Sequence, residues 1–158
     1  MRPTFWLPSG KKDPSPLRAG GIIFYRCSPL RFFFLKDNRR KFWEDVGGKT
    51  EAEDASIFET VAREGEEETN KLYTRKELGK ILPSAPCLYF PDSKYLCFFL
   101  PWTKGKAKIE EKEESTGYLR KFCWIRKKKL STEFKKFHPR LRKTFLLSFL
   151  LAFRRKKE

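Results

Sequence analysis

The chain has 158 residues and a formal net charge of +16, from 36 lysines and arginines against 20 acidic residues. That length suits one compact domain with a real core, and the charge points to polyanionic partners. A lone histidine, His138, leaves poor material for Ser-His or Cys-His catalysis, and four cysteines without C-x-x-C spacing exclude the usual zinc sites.

In chain order, residues 1–17 carry Pro3, Pro8, Pro14 and Pro16 and are expected to form a tail or arm ahead of one domain over 18–158. Strands are predicted from about Ala19 to Arg26 and from Leu30 to Lys36, turning at Asp37-Asn38. Phe42 to Val46 reads as a strand feeding a turn at Gly47-Gly48. A helix over Ala55 to Thr69 follows, then a short segment from Leu72 to Leu82 of unassigned type. Cys87 to Phe90 and Tyr95 to Leu100 flank Pro91-Asp92-Ser93 as a hairpin. Lys104 to Glu114 is a charged loop, Tyr118 to Ile125 another strand, and Pro139 opens a last helix to about Phe153. Strands with one helix among them and another at the end predict an α+β layered fold.

No apolar run approaches the roughly 20 residues of a membrane-spanning helix; Phe145 to Phe153 is the longest, and Ser148 interrupts it. The first residues lack the apolar core of a secretory signal, so an intracellular location, cytoplasmic or nuclear, is expected. The cysteines lie in or beside apolar stretches and are expected as buried, reduced thiols, with a Cys87–Cys97 cross-strand bridge left open. His138 precedes a helix start, where a capping or exposed role is expected.

The densest chemistry lies in Gly47-Gly48-Lys49-Thr50-Glu51-Ala52-Glu53-Asp54 and Arg63-Glu64-Gly65-Glu66-Glu67-Glu68-Thr69. On a helix from Ala55 to Thr69, Ile57, Phe58, Val61, Ala62 and Gly65 share one face while Glu59 and Glu66 point away. Glu64 and Glu68 flank that face and Glu67 stands beside Glu64, so three carboxylates converge at its edge. Like charges so placed destabilise a helix, and hard divalent cations bound through oxygen are the usual compensation. Arg63 can pair with a helix carboxylate and fix its rotamer. A solvated acidic helix is the bland alternative; the upstream glycines and the Arg-Glu pair weigh against it.

These residues resemble the Nudix box of pyrophosphohydrolases, with R-E-x-x-E-E intact. Asp54 takes the upstream acidic position, and Arg63 comes one residue later than the usual spacing, a longer form similar to some viral and bacterial members. Asn70 replaces the closing glycine and Lys71 the apolar residue after it; asparagine tolerates the left-handed conformation of a helix end. Gly65 stands where an apolar residue is usual. A mid-helix glycine costs about 0.8–1 kcal/mol relative to alanine, so it signals close packing or a weaker helix.

The resemblance implies an α/β/α sandwich around a mixed sheet over most of 18–155. It also implies Mg²⁺- or Mn²⁺-dependent hydrolysis of a diphosphate linkage in a nucleoside diphosphate joined to another group: a nucleoside triphosphate, a dinucleoside polyphosphate or an mRNA cap. Glu64, Glu67 and Glu68 would hold the cation with the Gly48 carbonyl, and Arg63 joins the catalytic set. Glu64 is the first choice of general base, with Glu110, Glu111, Glu113 and Glu114 as candidates outside the box. Asp54 is expected to order the loop before the helix. Phe5, Trp6, Phe90 and Trp102 are candidate stacking partners for a base.

The last third is strongly basic, and Lys127, Lys128, Lys129, Arg140 and Lys143 form the expected polyanion-binding set, for RNA, a nucleotide or an inositol polyphosphate. A solubilising or weakly nucleus-targeting charge coat is the alternative for the final Arg154 to Lys157. A Nudix-fold protein with weak or lost turnover that binds RNA or another polyanion through its basic face is the alternative function. Monomer and homodimer both remain open.

Overall fold

Continuous aromatic runs such as Phe32-Phe33-Phe34 suit strands buried on both faces, and the structure uses them so. This computed structural model describes residues 1–7 and 15–142. In β3 (Ala19–Arg26) and β4 (Arg31–Asp37), Ile23, Tyr25, Phe32 and Phe34 face one core, and Ile22, Phe24, Phe33 and Leu35 the other. The strand β5 (Val46–Lys49) pairs with β3, while β6 (Cys87–Phe90), β7 (Tyr95–Pro101) and β8 (Arg120–Arg126) complete the order β6-β7-β3-β4-β8. β3 and β7 run parallel and their neighbours pair antiparallel, so the sheet is mixed.

α1 (Ile57–Glu68) and α2 (Arg75–Ile81) pack on the face of Ile22 and Phe24. α3 (Lys127–Thr132) supplies Leu130 to the opposite face, beside Phe137 and Leu141. The result is an α/β/α sandwich. β3 pairs with β5 over Ala19 to Ile22 but with β4 only at Tyr25 and Arg26. The sheet therefore forks, and the fork opens a cleft between β5 and the β4–β8 pair.

Several expectations are corrected. Phe42 to Val46 does not feed a glycine turn: β5 begins at Val46 and contains both glycines, which pair with Gly21 and Gly20 of β3. The unassigned segment from Leu72 holds α2, started by a reciprocal Thr74–Glu77 capping box. Of the last predicted helix, Pro139–Arg142 forms a 3₁₀ turn, and the remainder to Phe153 lies outside the described residues, as do Lys143 and Arg154 to Lys157. Cys87 pairs with Phe98 rather than Cys97, and all four cysteines are free. Cys97 is buried as expected, whereas Cys27 and Cys87 are exposed, one in a turn and the other at the start of an outer strand. His138 caps as expected, its Nδ1 accepting from the Arg140 amide at 3.1 Å.

Residues of the expected arm lie against the domain. β1 (Phe5–Trp6) pairs with β2 (Pro16–Leu17), Arg2 donates to the Arg18 carbonyl at 2.6 Å, and the Thr50 hydroxyl donates to the Pro3 carbonyl at 2.8 Å. Among the described residues no helix is long and apolar enough to cross a membrane.

Candidate active site

α1 starts where Ser56 accepts from the Glu59 amide and ends at Thr69, followed by Asn70 and Lys71 with φ of +49° and +65°. Asparagine suits that left-handed position. Its apolar stripe buries Ile57, Val61 and Ala62, and Gly65 packs directly on α2. A Cβ there would stand 2.4 Å from Leu78 Cδ1, so close helix packing accounts for the mid-helix glycine.

The same burial carries Arg63 and Glu68 inward. Arg63 forks onto Asp54, with Nε to Oδ1 at 3.1 Å and Nη2 to Oδ2 at 3.0 Å, and donates to the Lys49 carbonyl and Glu64 Oε1. Its fullest partner is thus the loop carboxylate, and the expected pairing with a helix carboxylate is made as well, to Glu64 at 2.9 Å. Asp54 also takes the Thr60 hydroxyl and the Glu51 amide, each at 2.8 Å, and so ties the lengthened loop to α1. Burial opposes both charges, yet these hydrogen bonds hold Asp54 below and Arg63 above their ordinary pKa.

β5 is shaped around the acids. The Gly47 amide donates to Glu68 Oε1 at 3.0 Å. A Cβ on Gly48 would lie 2.4 Å from Glu64 Oε1, so glycine leaves the room that carboxylate occupies and any side chain would displace it. Burial raises the Glu64 pKa to about 7, with Glu67 adding repulsion; burial and then Glu64 raise Glu68 well above its usual value. Glu67, more exposed, is also raised by burial.

Glu64, Glu67 and Glu68 line the fork's cleft, a cavity of about 530 Å³, with Gly48, Lys49, Arg39, Arg40 and Arg120. Of the candidate bases outside the box, Glu113 lines this cleft too. It is buried and takes the Ser115 and Thr116 hydroxyls at 3.1 and 3.0 Å. Glu110 and Glu111 line a separate aromatic cavity, and Glu114 lines a depression beside Glu66 and Asn70.

A family model described as the NUDIX domain matches residues 18–147. The chain belongs to the Nudix family. An Ap4A hydrolase from C. elegans, solved as a binary complex, shares 14% identity and a TM-score of 0.54, over 89% of this chain and 98% of its own. A MutT from work on Aliivibrio salmonicida and Vibrio cholerae shares 17% and 0.56, over 85% and 94%. A Listeria monocytogenes protein described as a NUDIX hydrolase shares 18% and 0.55, over 88% and 95%. At these identities the structures attest the fold. No curated protein sequence matches the chain.

Nudix hydrolases generally use divalent cations such as Mg²⁺ or Mn²⁺. Among the described residues, no three His, Cys, Asp or Glu side chains are grouped to hold one ion as they stand; Arg63 Nη1 lies 2.9 Å from Glu64 and 3.8 Å from Glu67. The donor chemistry nevertheless fits a hard cation. The three box carboxylates share one cleft with Glu113, and burial raises the pKa of all three, with Glu67 adding repulsion at Glu64 and Glu64 at Glu68. Added positive charge would relieve both repulsions.

Three features of this Nudix site escape sequence reasoning. Asn70 donates to the Lys112 carbonyl and accepts from the Glu114 amide, clamping the acidic loop to the end of α1. Arg120 is a buried bolt, donating to the Glu68, Glu110 and Glu111 carbonyls. Arg140 is committed to an ion pair with buried Asp45, Nη2 to Oδ1 at 2.5 Å, and stacks on Tyr95, which removes it from the expected polyanion-binding set. Of that set, Lys128 and Lys129 are exposed and Lys127 is half-buried on α3. Among the stacking candidates Phe90 is core, Phe5 is half-buried and Trp6 exposed on β1, and Trp102 lines the aromatic cavity.

Proposed function

We propose that this Nudix pyrophosphohydrolase cleaves a diphosphate linkage in a nucleoside diphosphate joined to another group, such as a nucleoside triphosphate, a dinucleoside polyphosphate or an mRNA cap. The observation that carries the proposal is the convergence of Glu64, Glu67, Glu68 and Glu113 on a cleft that also presents Arg39, Arg40 and Lys49. Glu64, Glu67, Glu68 and the Gly48 carbonyl would hold Mg²⁺ or Mn²⁺, which offsets diphosphate charge and acidifies water.

The chain's own residues divide the remaining work. The Gly47 amide fixes Glu68, and Arg63, locked by Asp54, fixes Glu64. Arg39, Arg40 and Lys49 supply cationic donors to the phosphate oxygens. As a water oxygen bonds to phosphorus and the bridging P–O bond breaks, a carboxylate takes the water's proton. Glu64 is the first candidate for that base and Glu113 the one outside the box. Lys127, Lys128 and Lys129 would bring long polyanions to the protein. Product analysis across nucleoside triphosphates, dinucleoside polyphosphates, inositol pyrophosphates and capped RNA, each with Mg²⁺ and Mn²⁺, tests the proposal; nucleotide products from at least one nucleotide-containing class are expected. RNA affinity without turnover of any would favour the non-enzymatic alternative.

A further inference from the structure

A cavity of about 700 Å³ lies over the β4–β8 half of the sheet, on the same face as α1. Pairing of Phe33 with Trp124 and of Leu35 with Phe122 puts aromatic rings along it. Phe33 stacks on Phe122 with ring centres 5.6 Å apart and lies 5.1 Å from Trp124. Trp102 and Trp124 meet edge to face at 5.4 Å, and the Arg26 guanidinium lies over both, 4.2 Å from Trp124 and 5.4 Å from Trp102. A planar group thus already stacks in this corner, anchored by donation from Arg26 to the Gly105 carbonyl at 2.5 Å.

The cavity and the acidic cleft adjoin. Arg120, Phe122 and Trp124 alternate onto one face of β8; the first lines the cleft, the other two line the cavity. Those two steps span about 13 Å along the strand. One loop serves both, with Glu113 at the cleft and Glu110 and Glu111 at the cavity. Arg120 holds the backbone of Glu110 and Glu111 beside the end of α1.

We infer that this cavity receives the nucleobase of the substrate, stacked on Trp124 beside Arg26, while the diphosphate lies in the acidic cleft. The inference rests on the diphosphate-hydrolysis reading and adds the base site to it. Indole and guanidinium planes both stack bases. The side-chain oxygens of Glu110 and Glu111 offer hydrogen-bond acceptors, so they match a base edge rich in N–H donors. Guanine, with N1–H and an amino group side by side, fits that edge better than uracil.

The test is calorimetric binding to the full chain, with Mg²⁺, of guanosine and uridine α,β-methylene diphosphates and of pyrophosphate, which has no ring. Trp124→Ala is expected to weaken the guanosine ligand about tenfold, Trp124→Phe to recover most of that loss, and pyrophosphate affinity to stay unchanged. Because Trp124 also packs on the core, Ala107→Trp serves as a second variant. It fills the same cavity from its exposed rim without removing a contact, and should weaken the guanosine ligand similarly. If wild type binds pyrophosphate yet both variants hold the guanosine ligand as tightly as wild type, the base site is wrong and the diphosphate reading stands. Wild type that binds neither ligand removes both. Equal affinity for the guanosine and uridine ligands overturns the carboxylate-edge assignment.

Discussion

The Gly47 amide donates to Glu68 Oε1 at 3.0 Å, joining the two halves of the sequence motif, β5 and the end of α1. Next to it, Gly48 makes room for Glu64. Both glycines act through β5 rather than by turning the chain: Gly48 leaves room for the Glu64 carboxylate, whereas Gly47 lets β5 approach the β3 backbone and the Tyr95 hydroxyl.

Gly48→Ala should therefore damage turnover more than folding. Its Cβ would press on the Glu64 carboxylate from 2.4 Å, and displacing a reacting group by about 1 Å can cost about 10²-fold in rate. A kcat lowered by that order with a melting temperature near wild type is the expected outcome. A fully active variant would show that the Glu64 position seen here is dispensable.

Gly65→Ala sets two magnitudes against each other. Helix propensity favours alanine by about 0.8–1 kcal/mol, but overpacking a buried contact costs about 1–3 kcal/mol. The Cβ would lie 2.4 Å from Leu78 Cδ1 in a fully buried seam, so net destabilisation of about 1 kcal/mol is expected in urea unfolding. Increased stability would mean that Leu78 yields freely.

The acidic cleft also predicts an unusual pH response of the metal-free protein. Glu64 has its pKa raised from 4.5 to about 7, so between those values the folded state binds more protons than the unfolded state. Its contribution then falls as pH rises through that window, by at most about 3 kcal/mol. Melting temperatures from pH 5 to 8 should decline less steeply in Glu64→Gln than in wild type, and Mg²⁺ or Mn²⁺ should flatten the wild-type decline. Parallel curves for the two proteins would remove Glu64 as the source.

Much of this is legible in the chain. The amphipathic pattern of Ile57, Val61 and Ala62 locates α1, and the aromatic runs locate the buried strands, because both follow from local periodicity. Asp54, Asn70 and Arg63 are visible as residues, but their partners are not: Asn70 clamps Lys112, which lies 42 residues away. The glycine strand is hidden because paired glycines usually signal a turn, whereas here they face Gly20 and Gly21. The role of Arg140 is hidden because a charge in a basic run gives no sign of a buried Asp45 lying 95 residues earlier.

Arg140 and the lysines of α3 are therefore two different kinds of cation. Arg140→Gln strands Asp45, whose side chain is 0% exposed, and should destabilise the fold by about 3–5 kcal/mol. Replacing Lys127, Lys128 and Lys129 with glutamine should change stability by no more than about 0.5 kcal/mol per site. It should instead weaken RNA binding, lowering the slope of log K against log salt by about 0.7 per lost single-strand contact. Salt-dependent RNA titrations beside urea melts check both halves; an unchanged RNA slope in the triple variant would reduce α3 to a solubilising surface.

If the box carboxylates carry metal-dependent diphosphate hydrolysis, removing their charge must abolish it. Glu67→Gln and Glu68→Gln keep side-chain shape while removing charge, and the amide oxygen introduced by Glu68→Gln could still accept from Gly47. Hydrolysis rate and thermal melting should be measured together, with and without Mn²⁺. The expected result is wild-type turnover with a metal-induced rise in melting temperature, and both lost in each folded variant. Full activity in either variant would contradict the assignment of that residue, and full activity in both would contradict hydrolysis by the box itself.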